Sequence, residues 1–127
     1  MALQYEVKSK RPGLSRDQPA KYYPVLTGRK VADTRLICDH ISAGSSLTRS
    51  DVLAVITALT DLIPELLEDG YNVKLEDLGT FSLHARSEGK EDPTKVTVRD
   101  IKSLKMAFLP SKQIKEALKT LKVEKKK

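Results

Sequence analysis

The alternation of apolar and polar side chains between Tyr71 and Phe108 constrains the fold of this chain most strongly. Residues 71–75 and 81–86 each alternate with a period of two, which is typical of a strand with one buried face. A polar segment containing Gly89 and Pro93, residues 87–95, separates them from a third expected strand at residues 96–108. The pattern predicts a β-ribbon whose tip projects beyond the core. Because such an arm cannot bury itself, we expect it to contact another molecule.

The segment before the ribbon changes to the helical period of 3.6 residues. Asp33 or Thr34 is the expected N-cap of a short first helix. Thr48 and Asp51 have the spacing of a capping box at the start of a second helix. The apolar stripe of that helix, residues 52–67, is too wide for a one-sided surface helix, so it predicts packing against two partners, such as its own sheet and a second subunit.

Two residues are expected to disturb or end the second helix. Pro64 removes a backbone hydrogen bond and crowds the carbonyl of Thr60, which predicts a kink or break at residues 60–64. Gly70 is the expected C-terminal stop.

The two ends of the chain are expected to lie outside this central domain. Residues 1–33 predict a β extension with strands near 3–7 and 22–26, the first ended by Pro12-Gly13. The strands should pair with each other or with an edge of the main sheet, and Pro24 makes the second either an edge strand or a broken one. After Pro110 and Ser111 a final helix closes the domain, which spans residues 34–122. The basic tail, residues 123–127, is expected to be disordered.

The overall composition fits one α+β domain with extensions. The chain has 127 residues, of which 39% are hydrophobic and 31% charged. It has no 18-residue apolar run, and its first residues do not have the pattern of a signal peptide. The single cysteine, Cys38, is expected to be a small buried hydrophobe. These features predict a protein of the reducing cytoplasm.

The net charge of +6 is distributed unevenly. Residues 1–35 carry eight basic and three acidic side chains, residues 36–81 carry two and eight, and residues 82–127 carry thirteen and six. A basic distal half joined to an acidic helical middle favours a polyanionic partner, although solubility alone is the simpler explanation.

The sequence does not contain a credible catalytic or metal-binding constellation. It has two histidines, His40 and His84, and lacks the spacings Cys-x-x-Cys and His-Glu-x-x-His. Leu78-Gly79-Thr80 lacks the further glycines and the lysine of a phosphate-binding loop. We therefore expect no cofactor, no metal and no enzymatic activity.

Three segments occur in an order that resembles the bacterial histone-like HU/IHF family. They are the helix-turn-helix around Ser46 to Asp51, the strand pair through Leu78-Gly79-Thr80-Phe81, and the closing segment from Phe108 to Leu118. The resemblance covers about Thr34 to Leu121. Compact HU proteins lack the N-terminal strands, so the chain looks like a longer HU-like subgroup with an N-terminal extension.

The resemblance implies an intertwined homodimer in which paired helices form the base, sheets form a saddle and two β-ribbon arms embrace DNA. In the architectural proteins HU and IHF, an apolar wedge at the arm tip enters the minor groove and kinks the duplex. The position nearest to that wedge here is Pro93. The implied function is sequence-tolerant binding and condensation of double-stranded DNA in the bacterial nucleoid. The expected DNA-binding residues are Arg86, Lys90, Pro93, Lys95, Arg99, Lys102, Lys105, Lys112 and Lys115.

The charge of the arm tip leaves a second function open. Family arms are rich in arginine, whereas Glu88, Glu91 and Asp92 accompany the basic residues of this arm and would repel phosphates. The alternative is an HU-like structural or protein-interaction module with weak or no DNA binding, which uses the N-terminal strands and the saddle to bind a protein. Pro93 is then a simple turn residue. An IHF-like pairing of two different chains is the alternative to a homodimer.

Overall fold

The chain forms two separate β-sheets and three helices within the residues that the structure describes. This computed structural model describes residues 2–10 and 19–127, and the expected turn at Pro12-Gly13 lies outside them. The elements are, in chain order, β1 (Leu3–Lys10), β2 (Lys21–Thr27), α1 (Thr34–Ala43), α2 (Arg49–Glu68), β3 (Val73–Leu75), β4 (Gly79–Ser87), β5 (Ile101–Pro110), α3 (Lys112–Leu118) and β6 (Val123–Lys125). The mixed α+β composition agrees with the predicted class.

The terminal sheet, with strand order β2-β1-β6, joins the two ends of the described chain. Strands β1 and β2 pair antiparallel, as predicted, and β2 is an edge strand that accommodates Pro24. The expectation of a disordered tail is wrong, because β6 pairs parallel with β1. The Lys126 amide donates to the Tyr5 carbonyl at 2.9 Å, and Lys126 Nζ lies 3.0 Å from Glu6 Oε1. Backbone pairing thus fixes a segment whose composition alone suggests disorder.

Side-chain caps start both long helices where the sequence predicts. The Leu36 amide donates to Asp33 Oδ1 at 2.9 Å, so Asp33 is the N-cap of α1. At the start of α2, the Asp51 amide donates to Thr48 Oγ1 at 3.1 Å and the Thr48 amide donates to Asp51 Oδ2 at 3.0 Å. This reciprocal capping box satisfies two amide groups that lack a partner within the helix. Hydrogen bonding from Thr48 lowers the pKa of Asp51 below its usual value.

The sequence predicts a kink or a break near Pro64. Helix α2 runs without a break through this residue, so the break is wrong and the kink stays a prediction. Proline removes one hydrogen bond, whereas Ile63, Leu66 and Leu67 after or beside it are wholly or partly buried and hold the last turns in place. Gly70, at φ +91°, ends the helix as predicted. Its amide donates to Leu67 and the Tyr71 amide to Leu66, the paired bonds of a Schellman motif.

The second sheet has the strand order β3-β4-β5, and all its pairs are antiparallel. A tight turn joins β3 to β4 and places Asp77 at φ +55° and Gly79 at φ +153°. The Ser111 hydroxyl donates to the Asp77 carbonyl at 2.6 Å and accepts from the Ile114 amide at 3.1 Å. This single side chain therefore joins the turn to the N-terminus of α3.

The core of the single chain is small. Among the described residues, the buried apolar side chains are Cys38, Val52, Leu67 and Val73, and the predicted burial of Cys38 is confirmed at 5% exposure. Many other apolar side chains of α1 and α2 stay exposed, including Leu36, Leu53 and Val55. No helix in residues 2–10 and 19–127 is long and apolar enough to cross a membrane.

Candidate nucleic-acid interface

The long ribbon of β4 and β5 has a polar face on which basic side chains are neighbours. Residues that are paired across an antiparallel ladder lie on the same face, and here His84 pairs with Lys105 and Arg86 with Ser103. Arg86 and Lys105 are therefore diagonal neighbours. His84 Nε2 also lies 3.3 Å from Ser82 Oγ. The polar face can present two cations and several hydrogen-bonding groups to one ligand.

The opposite face of the ribbon is apolar and exposed. Phe81 pairs with Phe108, Leu83 with Met106, and Ala85 with Leu104. The two phenylalanine rings have centroids 4.9 Å apart. Exposure nevertheless reaches 54% at Met106 and 61% at Leu104. Apolar side chains aligned over such a length need a cover, because a strand face of this kind is stable only when packed.

A register shift between Arg86 and Ser87 extends the apolar face toward the arm tip. Arg86 pairs with Ser103 and Ser87 pairs with Ile101, which leaves Lys102 as the extra residue. Without the shift, Ile101 would have been on the polar face with Ser103. Lys102 Nζ lies 3.5 Å from Glu88 Oε2, so this predicted site residue is paired with a carboxylate of the arm.

The arm tip, residues 88–100, is built of short helical turns and does not continue the ribbon. The predicted start of the third strand at Val96 is wrong, because β5 begins at Ile101. Residues 93–95 and 98–100 each form a 3-10 turn. A Thr97–Asp100 capping box competes with strand formation at Val96 and Val98, since it bonds the backbone locally.

Asp100 holds the base of the arm tip together. It is the buried charged residue among those described, at 6% exposure, and its Oδ2 accepts from the Thr97 amide at 2.9 Å. Its backbone carbonyl accepts from the Glu88 amide at 2.9 Å, and its Oδ1 lies 3.5 Å from Lys90 Nζ. The Thr97 hydrogen bond, assisted by the charges of Lys90 and Lys102, lowers the pKa of Asp100 despite burial.

Pro93 is the first residue of an exposed turn directly after a charged carboxylate. Asp92 accepts from the Thr94 amide at 3.0 Å and from the Thr94 hydroxyl at 2.8 Å. Both bonds lower the pKa of Asp92, which keeps it ionised at neutral pH. The sequence-based concern about negative charge beside Pro93 therefore applies to the folded arm. Lys95 and Arg99 are exposed in the same arm tip.

Lys112 and Lys115 lie at the other end of the ribbon. Both belong to α3, which follows Pro110, and Pro110 pairs with Gly79 at the base. Arg86 pairs with Ser103, seven residues earlier along β5, so about 23 Å of strand separates it from that base. The predicted residues thus form three groups. Arg86 and Lys105 lie together, the arm-tip residues follow them, and α3 contributes a distant pair.

Two further residues of the site could have been found in the sequence. His84 lies on the polar face because it is two residues before Arg86 in an alternating strand. Asp100 follows Thr97 at the spacing of a capping box. The apolar residues Val96, Val98 and Leu104 favour a strand there, which conflicts with the capping-box spacing of Thr97 and Asp100. No group of three metal-ligating side chains occurs among the described residues.

The arrangement of a helix pair, a ribbon with an arm and a closing helix defines a class of HU-like α+β proteins. A solved structure of a candidate DNA-binding protein from Bacteroides vulgatus shares this fold, with a TM-score of 0.70 and 18% identity. It aligns with 98% of this chain, and the chain spans 48% of its length.

Sequence comparison gives the family. The family described as "HU domain fused to wHTH, Ig, or Glycine-rich motif", HU-HIG, matches residues 1–125. The chain belongs to this family, which confirms the predicted HU relationship. The DNA-binding protein HU of Thermus thermophilus is 27% identical over 96 residues, covering 74% of this chain and 99% of that protein. The protein of the same name from Xylella fastidiosa is 32% identical over 89 residues, covering 68% and 94%.

Proposed function

We propose that this protein binds double-stranded DNA as a homodimer, with little sequence preference, in the bacterial nucleoid. The observation that carries the proposal is the two-faced ribbon, in which an exposed apolar face is opposite a face bearing Arg86 and Lys105. One face requires a protein partner and the other suits a polyanion. The role is architectural, in binding and condensing DNA, and requires no cofactor or enzymatic activity.

The surface area of the chain supports the dimer. One chain exposes 11416 Å². A compact monomer of 14.2 kDa would expose about 6,800 Å², so the excess is about 4,600 Å². A large obligate interface buries about 2,000–5,000 Å² in total, which is about half that on each chain. A second copy can therefore cover part of this excess, on the apolar faces of α2 and the ribbon, while the arms still project. A partner on α2 also explains its wide apolar stripe.

Sedimentation equilibrium at micromolar concentration tests the dimer directly. The expected mass is about 28 kDa, twice that of one chain. A mass of 14.2 kDa would overturn the proposal of a homodimer.

The basic residues of the saddle and arms suit backbone recognition. Lysine and arginine side chains neutralise phosphates and position a protein without reading bases. In the proposed complex Arg86 and Lys105 contact the duplex from the ribbon, and Lys112 and Lys115 flank it. The arm-tip residues Lys90, Pro93, Lys95 and Arg99 enter the minor groove together with Lys102 at the start of β5, and Pro93 acts as a wedge.

Salt-dependent anisotropy of a labelled duplex of about 30 base pairs tests the polar face. The double variant Arg86→Gln, Lys105→Gln should reduce the slope of log K against log salt by about 1.8 per chain, or about 3.6 for a dimer with both ribbons on the duplex, since each phosphate contact contributes about 0.9. The charge-matched control is Arg35→Gln, Arg49→Gln, because both arginines belong to the helices α1 and α2 and are exposed. Equal slopes for the two double variants would remove the polar face from the proposed interface.

The second candidate is a protein-interaction module with weak or no DNA binding. The observation that favours it is the pairing of arm cations with arm carboxylates, Lys90 with Asp100 and Lys102 with Glu88. These pairs must be disturbed before the lysines can bind phosphate. If the wild-type protein does not bind the duplex even at low salt, this candidate replaces DNA binding.

Neutralising the arm carboxylates distinguishes the candidates further. If the arm contacts DNA, Glu91→Gln with Asp92→Asn should tighten binding, because two repulsive charges beside Pro93 disappear. Asparagine can still accept the hydrogen bonds from Thr94, so the turn is retained. An unchanged dissociation constant would show that the arm tip is not in contact with the duplex.

A further inference from the structure

The positive charge of this protein is concentrated on the terminal sheet and its connections. Residues 2–10, 19–30 and 122–127 carry nine basic and two acidic side chains, a net charge of +7. Residues 31–121, which contain the helices and the ribbon, carry twelve basic and fourteen acidic side chains, a net charge of −2. The part that corresponds to an HU-like body is therefore slightly acidic, and the added sheet supplies the excess of cations.

The strand register collects these cations on one face. Lys8 pairs with Tyr23 and Lys10 pairs with Lys21, so all four side chains are on the same face at one end of the sheet. That face forms a surface depression lined by Lys8, Lys10, Tyr23 and Val25. The same face carries two carboxylates toward its other end: Glu6 lies 3.0 Å from Lys126 Nζ, and Glu124 pairs with Gln4. The opposite face of the hairpin carries mainly apolar and aromatic side chains.

The lysines of this face repel one another in the free protein. Lys10 and Lys21 are directly opposite, and like charges in that position destabilise a strand pair. Within residues 2–10 and 19–127, Lys8, Lys10 and Lys21 form no salt bridge. A bound anion would relieve the repulsion. An exposed tyrosine, Tyr23, beside three lysines adds a flat side chain that can contact sugar or base.

We propose that the Lys8, Lys10, Lys21 and Tyr23 face of the terminal sheet is a second DNA-binding surface, which contacts the phosphate backbone of a duplex. The inference rests on the proposed function only for the identity of the ligand as duplex DNA. A dimer would carry two such faces in addition to the ribbons. One protein molecule could then hold a second duplex segment beside the first and bridge them.

The first test measures this surface by itself. In the background Arg86→Gln, Lys105→Gln, the triple change Lys8→Gln, Lys10→Gln, Lys21→Gln should lower the remaining salt slope by about 2.7 for each terminal-sheet face that contacts the duplex. The charge-matched control in the same background is Arg35→Gln, Arg49→Gln, Lys119→Gln, whose side chains are exposed and lie outside both the terminal sheet and the ribbon. Equal slopes for test and control would overturn the inference. Failure of the proposed ribbon interface gives a different result: Arg86→Gln with Lys105→Gln alone does not change the salt slope.

The second test measures bridging by the full chain. A duplex fixed to beads should capture a labelled second duplex in the presence of wild-type protein, and the triple Lys→Gln variant should lose this capture. The matched triple Lys→Arg variant should retain it, because the charges are restored. Loss of capture in both variants, when both still sediment as the wild-type protein does, would contradict a role for charge, and so would capture retained by the Lys→Gln variant. A stronger preference for single strands that disappears in Tyr23→Ala would contradict backbone binding of a duplex.

Discussion

Gly79 is the position in the turn where one added methyl group should disturb the ribbon most. Its φ is +153°, a region that side chains rarely adopt. A Cβ atom there would overlap the Leu109 carbonyl oxygen and lie 2.6 Å from Phe108 Cε2. Sparsely populated backbone conformations cost about 1–3 kcal/mol and overpacking a further ~1–3 kcal/mol. Gly79→Ala should therefore lower the free energy of unfolding by about 2–6 kcal/mol.

Two other glycines separate the backbone and steric contributions. Gly70, at φ +91°, has nothing within 4 Å of its Cβ position, so Gly70→Ala should show only the backbone cost. Gly89 is equally open and has no positive φ, so Gly89→Ala should change stability by less than about 0.5 kcal/mol. Urea unfolding at one protein concentration measures all three, because dimer stability depends on concentration. If Gly79→Ala costs no more than Gly70→Ala, the predicted clash with Phe108 and Leu109 does not exist.

Two further predictions concern the caps. Thr48→Ala removes one half of the capping box of α2 and should lower the free energy of unfolding by about 1 kcal/mol. The control, Thr57→Ala within the same helix, should be nearly neutral. Equal shifts of the melting temperature in the two variants would contradict the role of the cap. Asp100 has a lowered pKa, so its stabilisation of the arm tip is complete above the ordinary aspartate pKa and is lost as pH falls through the lowered value. The protection factor of the Thr97 amide, which is corrected for the intrinsic pH dependence of exchange, should therefore fall in acid, and Asp100→Ala should lower it already at pH 7. A protection factor that does not change with pH or substitution would refute the assignment.

The helices and the long strands could be predicted because their signals are local. The capping box of Thr48 and Asp51, the stop at Gly70 and the alternation in β4 each depend on residues a few positions apart. Helix α2 continues through Pro64, against the local rule. The gain from packing Leu66 and Leu67 after the proline depends on the sheet that they meet, which local sequence does not reveal.

Strand β6 could not be predicted for the opposite reason. Val123 pairs with Leu3 and Lys125 with Tyr5, so its partners are about as distant in sequence as this chain allows. A lysine-rich segment with one valine has no periodicity that would indicate a strand. Its order comes from open hydrogen-bonding positions on β1, such as the Tyr5 carbonyl. The concentration of charge on the terminal sheet became visible only when this pairing brought the two ends together.

The internal ion pairs of the arm tip divide its basic residues into two kinds. Lys90 Nζ lies 3.5 Å from Asp100 Oδ1, and Lys102 Nζ, at the start of β5, lies 3.5 Å from Glu88 Oε2. Lys95 and Arg99 form no salt bridge with any residue of 2–10 or 19–127. A phosphate approaching Lys90 must compete with Asp100, which is buried and ionised, whereas one approaching Arg99 meets no such competition. The proposed arm contact therefore depends more on Lys95 and Arg99 than on Lys90, and pairing with Asp100 gives Lys90 a structural role in the arm tip.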